Sequence, residues 1–402
     1  MSRRPAVAVT GLGVRCAAGA SPAALWESLV ECRPATSLHA FDDEGSVVGP
    51  ASAMTDFDPT GYLSPKEVRR TDRSVQMAVC AAADAVEDAG GLHVPPGRRA
   101  VVTGTGYGGV TSQENGIGHP DVLYAPRLMH NAGAYWISAG LRVTGPSLTV
   151  STACASGTHA VGEAMQMIRA GCADVVVAGG HESPLTPTTA LAFGRAGAMV
   201  TECGDPAAAS RPFDVGRRGF VLAEGAAFLV LERLDLARAR GARIHAVLTG
   251  YGRNSDAHHL TAPHPDGAGA RACMEQALAD AGTTADAVTH VNAHGTGTEL
   301  NDLAEARAIA TLFGPAAVPV TAPKSVTGHG LGAAGALEAV ITALSVREGI
   351  APPTASLTRL DPRCAIDVVT AGPRKISDGP VVSNSFAFGG HNACLVFDSP
   401  HD

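Results

Sequence analysis

An internal repeat narrows the folds open to this chain more than any other feature. Ala85-Val-Glu-Asp-Ala-Gly90 precedes Val101-Val-Thr-Gly-Thr-Gly106, and Ala277-Leu-Ala-Asp-Ala-Gly282 precedes Val291-Asn-Ala-His-Gly-Thr-Gly297. Each time an apolar helix ends in Asp-Ala-Gly and a strand then ends in Gly-Thr-Gly. A second correspondence follows in the same order. Residues 148–151 lead through Cys154 into a helix at Gly157, and 318–321 lead through Lys324 into a helix at Leu331. Two matches in one order predict a duplicated unit. The halves, 1–240 and 241–402, would meet between a helix over 234–240 and the strand after Arg243.

Strand and helix signals alternate through both halves, which argues for α/β layers. Strands are expected at 6–10, 100–103, 147–151, 174–178 and 226–231, then at 244–250, 290–292, 318–321, 368–370 and 381–384. The first of these reads as ending in a glycine turn at Gly11-Leu-Gly13. Helices are expected at 22–30, 73–88, 157–170, 234–240, 269–281, 301–312 and 331–348. The helix after Cys154 is apolar around much of its circumference (Ala160, Val161, Ala164, Met165, Met167, Ile168), and its counterpart over 332–341 is similar and rich in small residues. Helices apolar nearly all round are buried between layers. Two such helices between sheets predict a five-layered α-β-α-β-α sandwich, with the Cys154 and Lys324 turns opening at one face.

Several function classes are disfavoured. The formal charge is −8, and no basic face points to nucleic acid. No stretch approaches the roughly 20 apolar residues that span a bilayer. Arg3-Arg4 superficially offers a twin-arginine signal, but the apolar run 6–9 behind it is too short. Nine cysteines, an odd number without a C-x-x-C pair, fit a reducing cytoplasmic setting better than a disulfide framework.

Three strand-to-helix turns carry chemically capable side chains: Ala153-Cys-Ala-Ser156, Asn292-Ala-His-Gly-Thr-Gly-Thr298 and Lys324-Ser-Val-Thr-Gly-His-Gly-Leu-Gly332. A thiol at a helix N-terminus faces unpaired N–H groups and the positive end of the dipole, which favours thiolate and a nucleophilic role for Cys154. His258, His259 and His264 are closely spaced, but no cysteine or carboxylate stands at ligand spacing, so no metal is assigned. Gly104-Thr-Gly-Tyr-Gly-Gly109 fits a dinucleotide fingerprint by letter, yet Thr111-Ser-Gln-Glu-Asn continues it poorly as a phosphate-binding helix.

Taken together, the motifs resemble those of the β-ketoacyl synthases, condensing enzymes of the thiolase fold. The likeness runs from Val9-Thr-Gly-Leu-Gly13 to Asn384-Ser-Phe-Ala-Phe-Gly-Gly-His-Asn392, and is most specific in Ser151-Thr-Ala-Cys-Ala-Ser156, Ala293-His-Gly-Thr-Gly-Thr298 and Lys324-Ser-x-Thr-Gly-His329. The resemblance implies an acyltransferase that joins an acyl-Cys154 enzyme to malonyl carrier protein by decarboxylative Claisen condensation. Cys154 would be the nucleophile, and the N–H groups of Cys154 and Phe388 its oxyanion hole. His294 and His329 would stabilise the enolate, supported by Lys324 and the nearby buried Glu338. Thr296 and Thr298 match positions that bind the phosphopantetheine arm, although hydroxyls there would serve equally to stabilise the turn. Phe388 matches a gating residue; plain core packing is the alternative. No tightly bound cofactor is implied, because the arm arrives on the acyl carrier protein.

Departures from the fatty-acid enzymes refine this. Tyr107 stands where a smaller aliphatic residue lines the far end of the acyl pocket, and Phe193 matches another pocket residue, so short or flat chains are expected. The segment between Gly109 and Pro126 is shorter than expected, and Glu299-Leu-Asn-Asp302 looks more like polyketide synthases. These point to a type II polyketide ketosynthase, as a homodimer or paired with a chain-length-factor-like homologue. The alternatives are a KAS II-like fatty-acid elongation enzyme, a thiolase or a non-catalytic partner subunit. Lys66, Arg69, Arg70 and Arg73 cluster before a helix as a docking patch for an acidic carrier protein, or as a solvated charged turn.

Overall fold

The computed structural model describes residues 6–400; Arg3-Arg4 lies outside them. One mixed sheet holds β1 (Val7–Cys16), β2 (Arg99–Gly104), β3 (Ser147–Val150), β4 (Val175–Glu182), β5 (Gly225–Arg233), β6 (Ala246–Ser255), β7 (His290–Asn292), β8 (Pro319–Thr321), β9 (Asp367–Val368), β10 (Val381–Ala387) and β11 (His391–Asp398). Across it the order is β9-β8-β7-β10-β11-β6-β1-β5-β4-β2-β3. The centre is a short antiparallel pairing of Val7–Val9 with Leu248–Ala246. Outward from there, the first half runs β1-β5-β4-β2-β3 and the second β6-β11-β10-β7-β8. With the short edge strand β9 set aside, both halves place their first, fifth, fourth, second and third strands in that order. Both also pass from antiparallel to parallel pairing at the same point. This is the duplication that the repeated motifs foretold. The copies differ at their outer edges, where β9 covers β8 while β3 is left open.

The helices form the remaining layers. Chief among them are α1 (Arg73–Asp88), α2 (Ala132–Gly140), α3 (Ser156–Arg169), α4 (Pro187–Arg195), α5 (Ala268–Ala281), α6 (Glu299–Phe313) and α7 (Ala334–Glu348). On the outer face of the first half, α1 and α2 share a core with β2, β4 and β5. The second half has its equivalent in α5 and α6 over β7, β8, β9, β10 and β11, with α5 also lying against Gly250 and Gly252 of β6. Between the two sheet halves lie α3 and α7, whose apolar residues join both halves in one central core. Every residue of α7 from Ala334 to Ser345 is buried. Five layers result.

Glycines set how closely these layers approach. A Cβ on Gly157 of α3 would stand 2.6 Å from the Ala336 nitrogen and 2.9 Å from the Gly332 oxygen, so the two central helices touch only because position 157 is bare. The same physics corrects the expected end of β1. Gly11 and Gly13 do not turn the chain; the strand continues through them to Cys16, with a bulge between Val9 and Gly11. Cβ atoms there would fall about 2 Å from the Ala85 and Ala81 carbonyl oxygens of α1, so these glycines let strand and helix lie in contact.

Candidate active site

Cys154 sits between β3 and α3 in a strained elbow. Ala153, just before it, has φ +50°, an uncommon conformation for a residue bearing a Cβ. Ser156 holds the elbow: its hydroxyl donates to the Ala153 carbonyl at 2.7 Å and accepts from the Thr152 N–H at 2.9 Å. The backbone N–H groups of Phe388 and of Cys154 itself bear on the sulfur. The N–H groups favour thiolate, as the sequence leads one to expect, and burial opposes them. Burial pushes the thiol up to about 12, and the Glu182 charge pushes the same way against the opposing effects of Lys324 and the two N–H groups.

The second half supplies the opposite wall. His294 follows β7 in a turn whose Gly295 and Gly297 have positive φ. Glu305 of α6 pins that turn, its two oxygens each accepting at 2.8 Å from the His294 and Gly295 N–H groups. The sequence reading did not single out Glu305; its one signal was a carboxylate among the small apolar residues of a buried helix face. His329 follows Gly328, another positive-φ glycine, and joins the first half by donating its N–H to the Val221 carbonyl at 2.7 Å. The two imidazoles stand edge to face with centroids 5.4 Å apart.

Lys324 organises this wall. Its ammonium lies 2.6 Å from the His294 carbonyl oxygen, 3.2 Å from His294 Nδ1, and in hydrogen-bonded contact with Glu338. All three are acceptors for the three ammonium protons. His294 Nδ1 must then be unprotonated, which leaves its hydrogen on Nε2. Burial first, and Lys324 second, hold both imidazoles well below their usual 6.5, so both are neutral.

A cavity of about 370 Å³ opens onto these groups, lined by Cys154, Phe193, Phe220, His294, His329 and Phe388. Thr296 and Thr298 also line it, and their hydroxyls lie 2.9 Å from each other. Each can brace the turn and still offer hydrogen bonding to an occupant. Phe193 of α4 is the aromatic hub, with ring centroids 5.2 Å from Phe220 and 6.5 Å from both Phe388 and Tyr107. Tyr107, expected to line the acyl pocket, stands beside Phe193 but is exposed and lies outside this cavity's lining.

The basic cluster divides. Lys66, Arg69 and Arg70 are exposed around the short helix Pro65–Val68. Arg73 does not belong with them. Its guanidinium forms a bidentate pair with the buried Glu224, at 2.8 Å for both bonds, and donates to the Met54 carbonyl at 2.6 Å. It is a structural ion pair that holds the start of α1.

Residues 4–237 match the family described as Beta-ketoacyl synthase, N-terminal domain, and residues 245–358 match Beta-ketoacyl synthase, C-terminal domain. The chain is 39% identical over 416 residues to a 3-oxoacyl-[acyl-carrier-protein] synthase 2 from Vibrio harveyi, covering 99% of each. Among solved structures it superposes with TM-score 0.91 and 34% identity on the ishigamide ketosynthase/chain length factor, covering 99% of this chain and 100% of that one. It also superposes with TM-score 0.91 and 28% identity on AntDE:AntF, a type II PKS acyl-carrier protein in complex with its ketosynthase bound to the hexaketide; the coverage is again 99% and 100%.

Proposed function

The chain belongs to the β-ketoacyl synthase family, and from that premise we propose that it condenses an acyl group held on Cys154 with malonyl carrier protein to give a β-ketoacyl carrier protein. The observation that carries this reading is one cavity onto which Cys154, His294 and His329 all open. In the first half-reaction the acyl carbon exchanges its bond to the carrier thiol for a bond to Sγ, and the Cys154 proton leaves with the carrier. The N–H groups of Cys154 and Phe388 receive the oxyanion. In the second, malonyl loses carbon dioxide and its bonding pair passes into an enolate. The oxygen of that enolate accepts Nε2–H from His294 and a hydrogen bond from His329. The enolate carbon attacks the acyl-Cys154 carbonyl, a carbon–carbon bond forms, and the released sulfur takes up a proton. Neutral imidazoles suit these roles because a donor without formal charge can stabilise the enolate without first giving up a proton.

The phosphopantetheine arm, brought by the carrier, would enter past Thr296 and Thr298, while Lys66, Arg69 and Arg70 would meet an acidic carrier surface. A solved relative in complex with its acyl-carrier protein supports carrier binding by a chain of this fold. We assign the chain to type II polyketide assembly, paired with a homologous chain through the open edge of β3, where Leu148 is exposed. The ketosynthase/chain length factor structure supports that pairing. Fatty-acid elongation is the second reading, favoured by the relative named 3-oxoacyl-[acyl-carrier-protein] synthase 2. A thiolase would need a second cysteine as base, and Cys394 is instead buried in β11 within the outer core. Among the described residues no helix is long and apolar enough to cross a membrane. We place the chain in the cytoplasm, a setting supported by nine free cysteines.

Cys154→Ala tests the assignment. Radiolabelled acyl transfer should vanish while carbon dioxide release from malonyl carrier protein persists. Acyl labelling that survives the substitution would refute Cys154 as acceptor.

A further inference from the structure

Glu182 ends β4 fully buried, and nothing in the mechanism above uses it. One of its oxygens accepts from the Thr105 hydroxyl at 2.9 Å and the Tyr107 N–H at 3.1 Å. The other accepts from the Gly106 N–H at 2.6 Å and the Gly332 N–H at 3.1 Å. Three backbone N–H groups and one hydroxyl thus solvate it, with no cation among them. Burial pushes this carboxyl up to about 7, while four donors converging on its two oxygens favour the ionised, acceptor-only form, so it is charged across the alkaline range in which Cys154 titrates.

Its partners come from both halves. Thr105–Tyr107 follows β2 and carries Tyr107 beside Cys154, whereas Gly332 lies between His329 and α7. The junction has no slack. A Cβ on Gly106 would stand 2.9 Å from a Glu182 oxygen and 3.8 Å from the Ala153 Cα. A Cβ on Gly332 would stand 2.6 Å from the same Glu182 oxygen and 2.5 Å from the Gly106 nitrogen. A side chain that accepts hydrogen bonds at both ends of this contact decides where the Tyr107 turn sits relative to the cysteine elbow.

We propose that Glu182 is a positioning residue for acyl transfer: a buried carboxylate that clamps the Thr105–Tyr107 turn to Gly332 and thereby fixes that turn against the Cys154 elbow. The inference rests on the acyl-transfer reading for its kinetic consequence but not for its electrostatic one. The charged and titratable groups facing Cys154 are Lys324, Glu182, Tyr107 and the two imidazoles, and of these Glu182 carries the negative charge.

Two variants separate clamp from charge. Glu182→Gln places an amide nitrogen against N–H donors and removes the charge. It should slow acylation of Cys154 about 10- to 100-fold, as small misplacements at a reacting centre do. It should also shift the iodoacetamide alkylation profile of Cys154 to lower pH. Glu182→Asp keeps the charge but loses reach, so acylation should fall while the alkylation profile stays with the wild type. Alkylation needs no acyl donor, so that arm reports even where the chain proves not to transfer acyl groups. Wild-type acylation and acyl-length selectivity in both variants, with native thermal melts, would overturn the clamp. Should neither variant fold, Thr105→Val, which loses one of the four hydrogen bonds, carries the test. It should slow acylation severalfold and widen acyl-length selectivity, and unchanged values for both would overturn the proposal.

Discussion

Lys324 Nζ stands 3.2 Å from His294 Nδ1 and 2.6 Å from the carbonyl oxygen of the same residue, so one ammonium fixes both the position and the tautomer of an imidazole. Lys324→Met keeps the apolar stem and removes those donors, leaving the Glu338 carboxylate buried without its cation. Breaking a buried pair in this way costs about 3–5 kcal/mol, to be read from the denaturant midpoint. Carbon dioxide release from malonyl carrier protein should fall about 100-fold, the scale for losing an oriented oxyanion donor.

The pH dependence follows from the direction of the imidazole shifts. Burial and Lys324 lower the proton affinity of His294, and burial does the same for His329, so both stay neutral as pH falls through the ordinary value of 6.5. Malonyl decarboxylation by the Cys154→Ala variant should therefore hold level from pH 8 through 6.5 and decline only below it. A half-loss centred on 6.5 would mean that the histidines titrate as exposed ones do.

Arg69 and Arg70 are exposed, while Arg73 is engaged with Glu224. Replacing Arg69 and Arg70 together by Glu should raise KM for the acyl carrier protein about 10-fold with kcat unchanged, and added salt should shrink the difference. Arg73→Ala should behave differently, lowering the melting temperature with little specific effect on KM. Steady-state kinetics at two ionic strengths, with thermal melts, separate the two.

Tyr107 meets Phe193 edge to face at a centroid distance of 6.5 Å, beside the cysteine. Tyr107→Ala removes that ring and should let longer acyl chains be trapped on Cys154, read by mass spectrometry of the intact protein. An acyl-length profile identical to wild type would place the chain-length limit elsewhere.

The sequence revealed the molecule where a feature is local or repeated. Small-residue helices, short apolar strands and motif-bearing turns fall where periodicity puts them, and the repeat anticipates the matched strand orders. Features made by distant contacts were not legible. Gly11 and Gly13 look like a turn because nothing local shows that α1 presses on them. Glu182 and Glu305 are ordinary letters until the fold brings N–H groups to their oxygens. Arg73 looks like its neighbours until Glu224, 151 residues away, pairs with it. The balance at the Cys154 thiol is hidden for the same reason. Its helix end is written locally, but the burial and the Glu182 charge that outweigh it come from other elements.

The seating of β1 also bears on how the chain is made. The strand lies between β5 and β6, so its partners begin at Gly225 and Ala246. At about 5–20 residues per second of synthesis, the first strand to emerge waits on the order of tens of seconds before either neighbour exists. A nascent chain therefore exposes an apolar strand edge until those partners emerge, the kind of surface that chaperones hold and that aggregates when they do not. Contacts this distant in sequence also make for slow folding. The cavity, built from turns on both sides of that central pairing, can take shape only after the second half has emerged, so a truncated first half would carry the nucleophile and no chemistry.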